Sequence, residues 1–330
     1  MNRYPFIHRF QQALLILLSL GLFSCERSLD IATFEDDFST YEPELKIEGL
    51  LQQDQPEDSI VRIITSIAVT NTDIYNGIDD DGDGQVDERD EILPLVQDTS
   101  ATVLVTNLNS GVTTEFVYVA EADSLIHLED EASDGDDEVV IIPHGGYKPS
   151  SADFEVEPYA AYRLEVYSSA FDQTITGTTT VYPPPVFLDS LVVFEGPFVL
   201  MDVNTSNEIF WESDPAVSSY NLTVEAVNEM GNSGLDLDII DTYVAARDAD
   251  LSAQYSEASI GRTVLYYGEG VFQFTVESLS PSYGRYVFSE LPLQDPQRSN
   301  LRDENGNPVM GAFGSTAARR VLVVIEGETD

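Results

Sequence analysis

The segment with the clearest chemical pattern is acidic and lies in the first third of the chain. Starting at Asp79, carboxylates recur at alternating positions, with Gly84 at position six and Val86 at position eight. The candidate ligands are Asp79, Asp81, Asp83, Gln85, Asp87 and Asp90, of which Gln85 would offer its backbone carbonyl. Oxygen ligands at this spacing converge on a hard cation, and glycine permits the sharp turn that such a loop requires. The sequence therefore predicts a structural Ca²⁺ site in residues 76–91.

Two interpretations of this segment compete. Asp90 stands where an EF-hand has a bidentate glutamate, so the loop resembles instead the Asp-rich loops of thrombospondin type 3 repeats and related bacterial calcium motifs. The flanking residues have the pattern of strands, which favours a calcium clip in a long β-sandwich loop over a helical sensor. The alternative is a solvated acidic turn. Against it, five carboxylates at one centre without a cation would repel one another strongly.

The single cysteine, Cys25, predicts a lipid anchor. Residues 1–24 have the features of a signal peptide, because Arg3 and Arg9 precede an apolar run that is too short to span a membrane. The sequence Leu22-Phe23-Ser24-Cys25 resembles a bacterial lipobox, in which a peptidase cuts before the cysteine and the sulfur carries a diacylglyceryl group. The alternative is a free or buried thiol near an ordinary cleavage site.

The charge of the chain excludes one class of partner. Asp and Glu number 59 against 15 Lys and Arg, a formal net charge of -44 that repels phosphate backbones, so nucleic-acid binding is excluded. Residues 25–40 are acidic and poor in large apolar groups, which predicts a solvated tether behind the anchor. Acidic residues soon after the cysteine resemble export signals of Bacteroidota surface lipoproteins. This favours the outer face of the outer membrane and leaves the periplasmic face as the alternative.

Catalytic constellations have little support in the sequence. After the signal peptide only His127 and His144 remain as histidines, and no nucleophile elbow or zinc-protease motif accompanies them. The run His144-Gly145-Gly146 has the pattern of a turn. Acidic residues are so frequent that no carboxylate pair for glycoside hydrolysis stands out. The sequence therefore favours a non-enzymatic protein.

The remaining pattern predicts an all-β protein. Apolar and polar residues alternate, Val, Ile, Thr, Tyr and Phe are frequent, and turn residues interrupt the alternation regularly. Strands are predicted at 45–51, 60–69, 101–108, 114–121, 162–168, 174–181, 190–194, 207–212, 220–227, 263–265, 272–278 and 320–326. Asn109-Ser110-Gly111 predicts a hairpin turn, and residues 242–254 are the one segment that could form a short helix. Two further acidic stretches, 129–138 and 303–307, predict a hairpin tip and a turn.

The strand pattern divides at Pro183-Pro184-Pro185, a donor-poor segment that cannot occupy a central strand. We expect two β-sandwich domains of immunoglobulin or fibronectin III type in tandem, an N-terminal one at 41–182 and a C-terminal one at 183–330. In the second, Glu208-Ile209-Phe210-Trp211 and the following Tyr220 strand resemble strands B and C of a fibronectin type III domain. Trp211 is expected to fill its core, with a carbohydrate-stacking platform as the alternative.

Several strand and turn phrases occur in an order that resembles a known family. They are residues 41–49, 61–66, 162–166, 183–185 before 189–191, 279–286, and Ser299-Asn300 with Gly311-Ala312-Phe313-Gly314. In these phrases the chain resembles, over roughly residues 41–326, the Bacteroidota lipoproteins called domain of unknown function 4249. The calcium-like loop looks like an insertion relative to that pattern.

The resemblance implies an outer-membrane lipoprotein, often encoded beside a TonB-dependent receptor and without an assigned activity. The leading hypothesis is an accessory binding protein for a TonB-dependent transporter, since function on such scaffolds lies in their loops and edges. The alternatives are a calcium-stabilised adhesion or surface-structural module and, third, a hydrolase of polymers at the cell surface.

Overall fold

The structure is a computed structural model that describes residues 43–66, 96–129, 138–187, 194–195, 198–202, 207–212, 214, 216–217, 219–231, 234–246, 260–265, 268–289 and 295–326. Cys25, the tether at 25–40 and the calcium-like segment at 76–91 lie outside the described residues.

The described part of the chain is predominantly β, which confirms the all-β prediction. The strands are β1 (Leu45–Gln52), β2 (Ile60–Thr65), β3 (Thr102–Asn107), β4 (Thr113–Glu129), β5 (Glu138–Pro149), β6 (Ala161–Ser168), β7 (Gln173–Thr180), β8 (Val186–Phe187), β9 (Phe194–Glu195), β10 (Phe198–Asp202), β11 (Asn207–Glu212), β12 (Ser219–Gly231), β13 (Gly234–Ala246), β14 (Ile260–Leu265), β15 (Gly270–Leu279), β16 (Leu301–Asp303) and β17 (Met310–Glu326). One α-helix within the described ranges, α1, spans Pro281–Ser289, and short 3-10 helices span Pro56–Asp58 and Pro296–Arg298.

Local patterns predicted several elements correctly. The predicted strand at 207–212 coincides with β11, and the turn before Gly111, whose φ is 78°, joins β3 to β4. The turn at 303–307 is confirmed, because the Asp303 carboxylate accepts hydrogen bonds from the backbone N–H groups of Asn305 and Asn307. The helix prediction is wrong at 242–246, which continue β13 as the partner of β12, and the rest of that segment lies outside the described residues.

One sheet of fourteen strands holds most of the described fold, in the order β13-β12-β15-β17-β1-β2-β5-β4-β3-β6-β7-β16, with β10 and β9 attached beside β17. The long strand β17 is its centre. Along one edge β17 pairs in parallel first with β1 and then with β10, and along the other edge it pairs antiparallel with β15.

This topology does not confirm the predicted tandem pair of separate sandwiches. β17 belongs to the predicted C-terminal domain, but its first half pairs with β1 of the predicted N-terminal domain, from Lys46 opposite Met310 to Gln52 opposite Thr316. A single sheet therefore crosses the predicted boundary at Pro183-Pro184-Pro185. The pairing joins residues that are more than two hundred positions apart in the sequence. The alternation of polar and apolar residues within one strand does not show which distant strand will pair with it.

Two hydrophobic clusters lie along this sheet. The first is formed by β1 to β7 with Leu301 and Phe313, and it requires the sheet to curl. A Cβ added at Gly49 of β1 would lie 2.7 Å from the Phe313 ring and 3.5 Å from Leu164 of β6, so these strands face each other across the core. Closely packed interiors of this kind exclude water and supply most of the stabilisation.

The second cluster packs a small sheet onto the large one. The three-stranded sheet β14-β11-β8 contributes Phe187, Ile209 and Trp211, and the large sheet contributes alternate residues of β12, β15, β17 and β10. Trp211 is fully buried and meets Tyr220 edge to face, with ring centroids 5.8 Å apart. The prediction that Trp211 fills the core is therefore confirmed.

The prediction of a turn at His144-Gly145-Gly146 is wrong, because all three residues lie within β5. His144 is 4% exposed. The glycines are needed for packing: a Cβ at Gly145 would lie 2.1 Å from the Tyr118 hydroxyl, and one at Gly146 would lie 2.7 Å from Ile60. Two consecutive glycines therefore mark close side-chain contacts here.

Candidate functional site

A polar groove of about 570 Å³ lies on the face of β12, β15 and β17 that is turned away from the second cluster. Its lining residues are Gln55, Thr223, Glu225, Gln273, Thr275, Glu277 and Arg320. Side chains alternate between the two faces of a strand, so the apolar residues of β12 and β15 pack inward while the polar ones between them face this groove. The volume lies within the range of pockets that hold small ligands.

Cross-strand pairs fix the groove side chains. Glu225 lies opposite Gln273 in the register and accepts a hydrogen bond of 2.8 Å from its amide Nε2. At the other end, Glu277 lies opposite Asn221 and accepts a hydrogen bond of 2.8 Å from its Nδ2. Directly opposite pairs of this kind stabilise a sheet and also hold both carboxylates in place.

The β1–β2 connection forms one wall of the groove through Arg320. The Arg320 guanidinium donates one hydrogen bond to the Asp54 carboxylate and another, of 3.0 Å, to Gln55 Oε1. Asp54 also accepts a hydrogen bond of 3.1 Å from the backbone N–H of Ala318. The planar fork of arginine suits such a paired contact, so Arg320 fastens the β1–β2 connection onto β17.

The surroundings of Glu277, at one end of the groove, shift the pKa of its carboxyl. Burial raises the pKa of the Glu277 carboxyl above its usual value, and the negative charges of Asp54 and Glu225 act in the same direction. The hydrogen bond from Asn221 and the positive charge of Arg320 lower it, without cancelling the rise. A perturbed carboxyl in a cleft is a feature of binding and catalytic sites.

We predict that Glu277→Gln raises the melting temperature at neutral pH. The folded protein binds the Glu277 proton more tightly than the unfolded chain does, so this group's contribution to stability is full below about pH 4.5 and is lost as the pH rises through the folded pKa. Glutamine can still accept the Asn221 hydrogen bond without the charge. Thermal unfolding of both proteins should be measured across a range of pH. The difference between their melting temperatures should shrink as the pH falls toward about 4.5. Glu57→Gln, at an exposed glutamate, is the control. A difference that does not vary with pH would contradict the prediction.

A second cavity of about 80 Å³ lies between α1 and strands β1 and β2. Tyr283 and Tyr286 of α1 stack at its edge with centroids 5.8 Å apart, and Arg62 and Glu48 line it from the strands. Burial, and next the charge of Glu48, raise the pKa of the Tyr286 hydroxyl. The space is suited to water and is too small for an organic ligand.

Three of the sequence segments on which the family resemblance is based, residues 279–286, 299–300 and 311–314, lie together beside this cavity. Ser282 donates a hydrogen bond of 2.8 Å to the Phe313 carbonyl, and Ser280 Oγ accepts one of 2.9 Å from the Ser315 N–H. The Asn300 side chain accepts from the Phe313 N–H at 3.0 Å and donates to the Phe313 carbonyl at 2.7 Å. These bonds fasten α1 and the segment before β16 to β17. In this structure the three segments therefore have a structural role, because their hydrogen bonds connect neighbouring elements to β17.

The predicted site residues fall outside the described chain, but the ends of the calcium-like excursion are described. The Thr65 N–H donates to the Val96 carbonyl at 2.8 Å, and the Asp98 N–H donates to the Ile63 carbonyl at 2.9 Å. The chain thus returns to β2 at the place where it left it. Within the described ranges, no group of three His, Cys, Asp or Glu residues is placed to hold a metal ion.

Sequence reasoning did not find the groove. Its residues come from β12, β15, β17 and the β1–β2 connection, and each strand alone has the ordinary alternation of a half-exposed strand. The one local signal is that the outward positions Thr223, Glu225, Gln273, Thr275 and Glu277 are all polar and hydrogen-bonding. Such positions are also typical of a plain solvated face.

No model of a known protein family matches this chain, and a search of curated proteins found no match. Among the helices that the structure describes, none is long and apolar enough to cross a membrane.

Proposed function

We propose that this protein is an outer-membrane or cell-surface lipoprotein that acts as a non-enzymatic binding protein, accessory to a TonB-dependent transporter. The observation that carries the binding role is the polar groove, in which cross-strand hydrogen bonds and Arg320 hold polar groups before any ligand arrives. Preorganised groups lose little entropy when a ligand binds. The sequence Leu22-Phe23-Ser24-Cys25, which resembles a lipobox, and the resemblance to Bacteroidota lipoproteins support the anchored location.

The groove chemistry suits a neutral ligand with several hydroxyl groups, such as a sugar unit. Two glutamates, two glutamines and two threonines offer donors and acceptors, and Arg320 has its charge offset by Asp54. An anion would meet the large negative charge of the chain, whereas a neutral ligand meets no such repulsion. A site built to hydrogen-bond hydroxyls also rejects analogues that lack them.

We predict that Thr223→Val with Thr275→Val weakens sugar binding by about tenfold or more. The two threonines lie opposite each other in the middle of the groove, and valine keeps their shape while removing both hydroxyls. Neutral oligosaccharides identified in a binding screen should be titrated by calorimetry. Thr178→Val, at an exposed position of β7, is the matched control. Equal affinity of the double variant and wild type would contradict the groove assignment.

The finer fold proposal concerns the second cluster. We propose that β8, β11 and β14 facing β12, β13, β15 and β17 form a fibronectin III-like sandwich, and that the curled part from β1 to β7 with β16 is a second sandwich. The two separate clusters support this division: the buried residues of the second all follow Pro183-Pro184-Pro185, and those of the first precede it except for Leu301 and Phe313. β17 is shared between the two.

The calcium proposal rests on the ligand pattern from Asp79 to Asp90 and on the closed ends of that excursion at Thr65 and Val96. An insertion whose ends are bonded to each other can be added to a sheet without changing its register. Extracellular calcium modules bind at about 10⁻⁴ to 10⁻³ M, which suits a protein outside the cytoplasm.

We predict that millimolar Ca²⁺ raises the melting temperature and that Asp81→Ala with Asp83→Ala removes the rise. A ligand at ten times its Kd stabilises the folded state by about 1.4 kcal/mol. Differential scanning calorimetry with and without Ca²⁺ measures this. Asp134→Ala with Asp136→Ala, in the acidic stretch without the alternating pattern, should keep the rise. An unchanged wild-type melting curve would contradict the proposal.

Affinity purification tests the accessory role. The tagged, lipidated protein should be isolated from gently solubilised outer membranes with Ca²⁺ present, and its companions identified by mass spectrometry. A stoichiometric TonB-dependent receptor supports the proposal. A protein that is isolated alone would contradict it and favour the adhesion or surface-structural module.

A surface polymer hydrolase is the second candidate, and the raised pKa of Glu277 is the observation that favours it. A carboxyl whose pKa is raised by burial holds its proton more firmly than a free carboxyl does, and such a group can act as a general acid. If oligosaccharides are cleaved in the presence of the protein and Glu277→Gln abolishes cleavage without weakening binding, the non-enzymatic proposal is wrong.

A further inference from the structure

A third cavity, of about 280 Å³, lies apart from the groove, where the two hydrophobic clusters approach each other. Its walls come from the loop before β6, the Pro183-Pro184-Pro185 segment and the connection between β11 and β12. The residues that determine its chemistry are Tyr159, Pro184, Val186, Glu212 and Asp214. None of the described residues that line it belongs to the polar groove.

Tyr159 presents an aromatic ring to this cavity from an unusual backbone conformation. Its φ is 61°, in the left-handed region that bulky residues seldom adopt, and the residue is 63% exposed. The backbone is held there by a hydrogen bond of 2.8 Å from the Tyr159 N–H to the Val181 carbonyl, next to buried Ala160. Strained residues of this kind persist where their surroundings fix them, and they occur often at binding sites.

Two carboxylates stand beside the ring. The Tyr159 hydroxyl donates a hydrogen bond of 3.2 Å to Asp214 Oδ2. Asp214 is itself positioned, because its Oδ1 accepts from the Ala216 N–H at 2.8 Å and its own N–H donates to the buried Tyr220 hydroxyl at 3.0 Å. Desolvation, the bond to Asp214 and the charges of Asp214 and Glu212 all raise the pKa of the Tyr159 hydroxyl.

The opposite walls are rigid and apolar. The prolines have fixed φ angles and no N–H groups, and Val186 leaves 59% of its surface exposed. None of the described residues that line the cavity is basic. The cavity therefore combines an aromatic face, a hydrocarbon wall and two negative charges, in a protein whose net charge attracts cations.

We propose that this cavity binds an organic cation, an alkylammonium or guanidinium group. Its charge lies over the Tyr159 ring between Glu212 and Asp214, and its aliphatic stem lies against Pro184 and Val186. A cation over an aromatic face is attracted by the ring quadrupole, and the nearby carboxylates add to that attraction. This site goes beyond the proposed sugar groove and is independent of it.

The test uses n-butylammonium and n-butylguanidinium as probes, titrated into the purified protein by NMR, with n-butanol as the uncharged probe. Both cations should bind and n-butanol should not. Tyr159→Ala should weaken cation binding by about tenfold, and Glu212→Gln with Asp214→Asn should do the same. Tyr159→Phe, which keeps the ring, should stay within about threefold of wild type. Glu225→Gln, in the separate groove, should bind as wild type does.

One variant tests the proposal even if the others do not fold. Glu212 is exposed, so Glu212→Gln alone preserves the structure and should still weaken binding and its dependence on salt. Equal binding of n-butanol, or unchanged cation affinity in Glu212→Gln with Asp214→Asn, would overturn the proposal. A blocked lysine or arginine tripeptide that binds more tightly than the free probes supports a side chain of a partner protein as the source. Equal affinity supports a small amine.

Discussion

Replacing Gly311 with alanine should abolish folding. Gly311 lies in β17 opposite Ile47 of β1, with a φ of 107°, and a Cβ there would lie 1.8 Å from the Ile47 carbonyl oxygen. Relief would require the parallel pairing of β1 and β17 to separate, and that pairing joins the two halves of the sheet. Backbone clashes of this kind destabilise by more than about 4 kcal/mol, so we expect little soluble protein and no cooperative melting by circular dichroism.

Gly306→Ala provides the matched control. Gly306 precedes the same strand and also has a positive φ, of 83°, but nothing lies within 4 Å of its Cβ position. Its substitution should cost only the unfavourable backbone conformation, about 1 kcal/mol. If Gly311→Ala melts like Gly306→Ala, then β1 and β17 are not packed as described.

Strands were predictable from sequence where one face is buried and the other is solvated. β1 alternates between buried and half-exposed residues along its whole length, and β6 does the same, so period-two alternation identified both. β11 was identified with the same bounds. The turn around Asp303 was also predictable, because its carboxylate is satisfied within five residues of chain.

Features that depend on distant contacts were not predictable. Gly145 and Gly146 read as a turn, since their reason for being glycine is the Tyr118 hydroxyl and the Ile60 side chain on other strands. Helix α1 spans only the nine residues Pro281–Ser289 and contains Gly284, a poor helix former, so its sequence does not indicate a helix. Its N-terminal serines are explained only by β17, where Ser282 bonds the Phe313 carbonyl.

The candidate groove could not be predicted from the sequence for the same reason. Thr223, Thr275 and Arg320 lie in one row across three neighbouring strands. In the sequence, however, about fifty residues separate each of them from the next. Only the register shows that Arg320 faces Thr275, and only the fold shows that Asp54 reaches Arg320. The calcium pattern was visible because all its candidate ligands lie within twelve residues of sequence, from Asp79 to Asp90.

Replacing Leu164 with alanine should lower the stability of both hydrophobic clusters together. Leu164 is fully buried in the first cluster, and Trp211, the only tryptophan, lies in the second. A buried leucine to alanine change costs about 3 kcal/mol. Because β17 carries Phe313 in the first cluster and Val323 in the second, loss of one cluster removes a pairing partner from the other. Urea unfolding followed by tryptophan fluorescence and by far-ultraviolet circular dichroism should shift to the same lower midpoint.

The two probes distinguish a shared strand from independent domains. Leu108→Ala makes the same chemical change at a residue that is 48% exposed. The free energy of unfolding obtained with either probe should then stay within about 0.5 kcal/mol of the wild-type value. If Leu164→Ala lowers the circular dichroism transition while the tryptophan transition stays in place, the clusters unfold separately and β17 does not couple them. Coincident shifts would mean that the parallel pairing of β1 with β17 transmits stability across Pro183-Pro184-Pro185, so ligand binding in the groove on β17 would stabilise the first cluster as well.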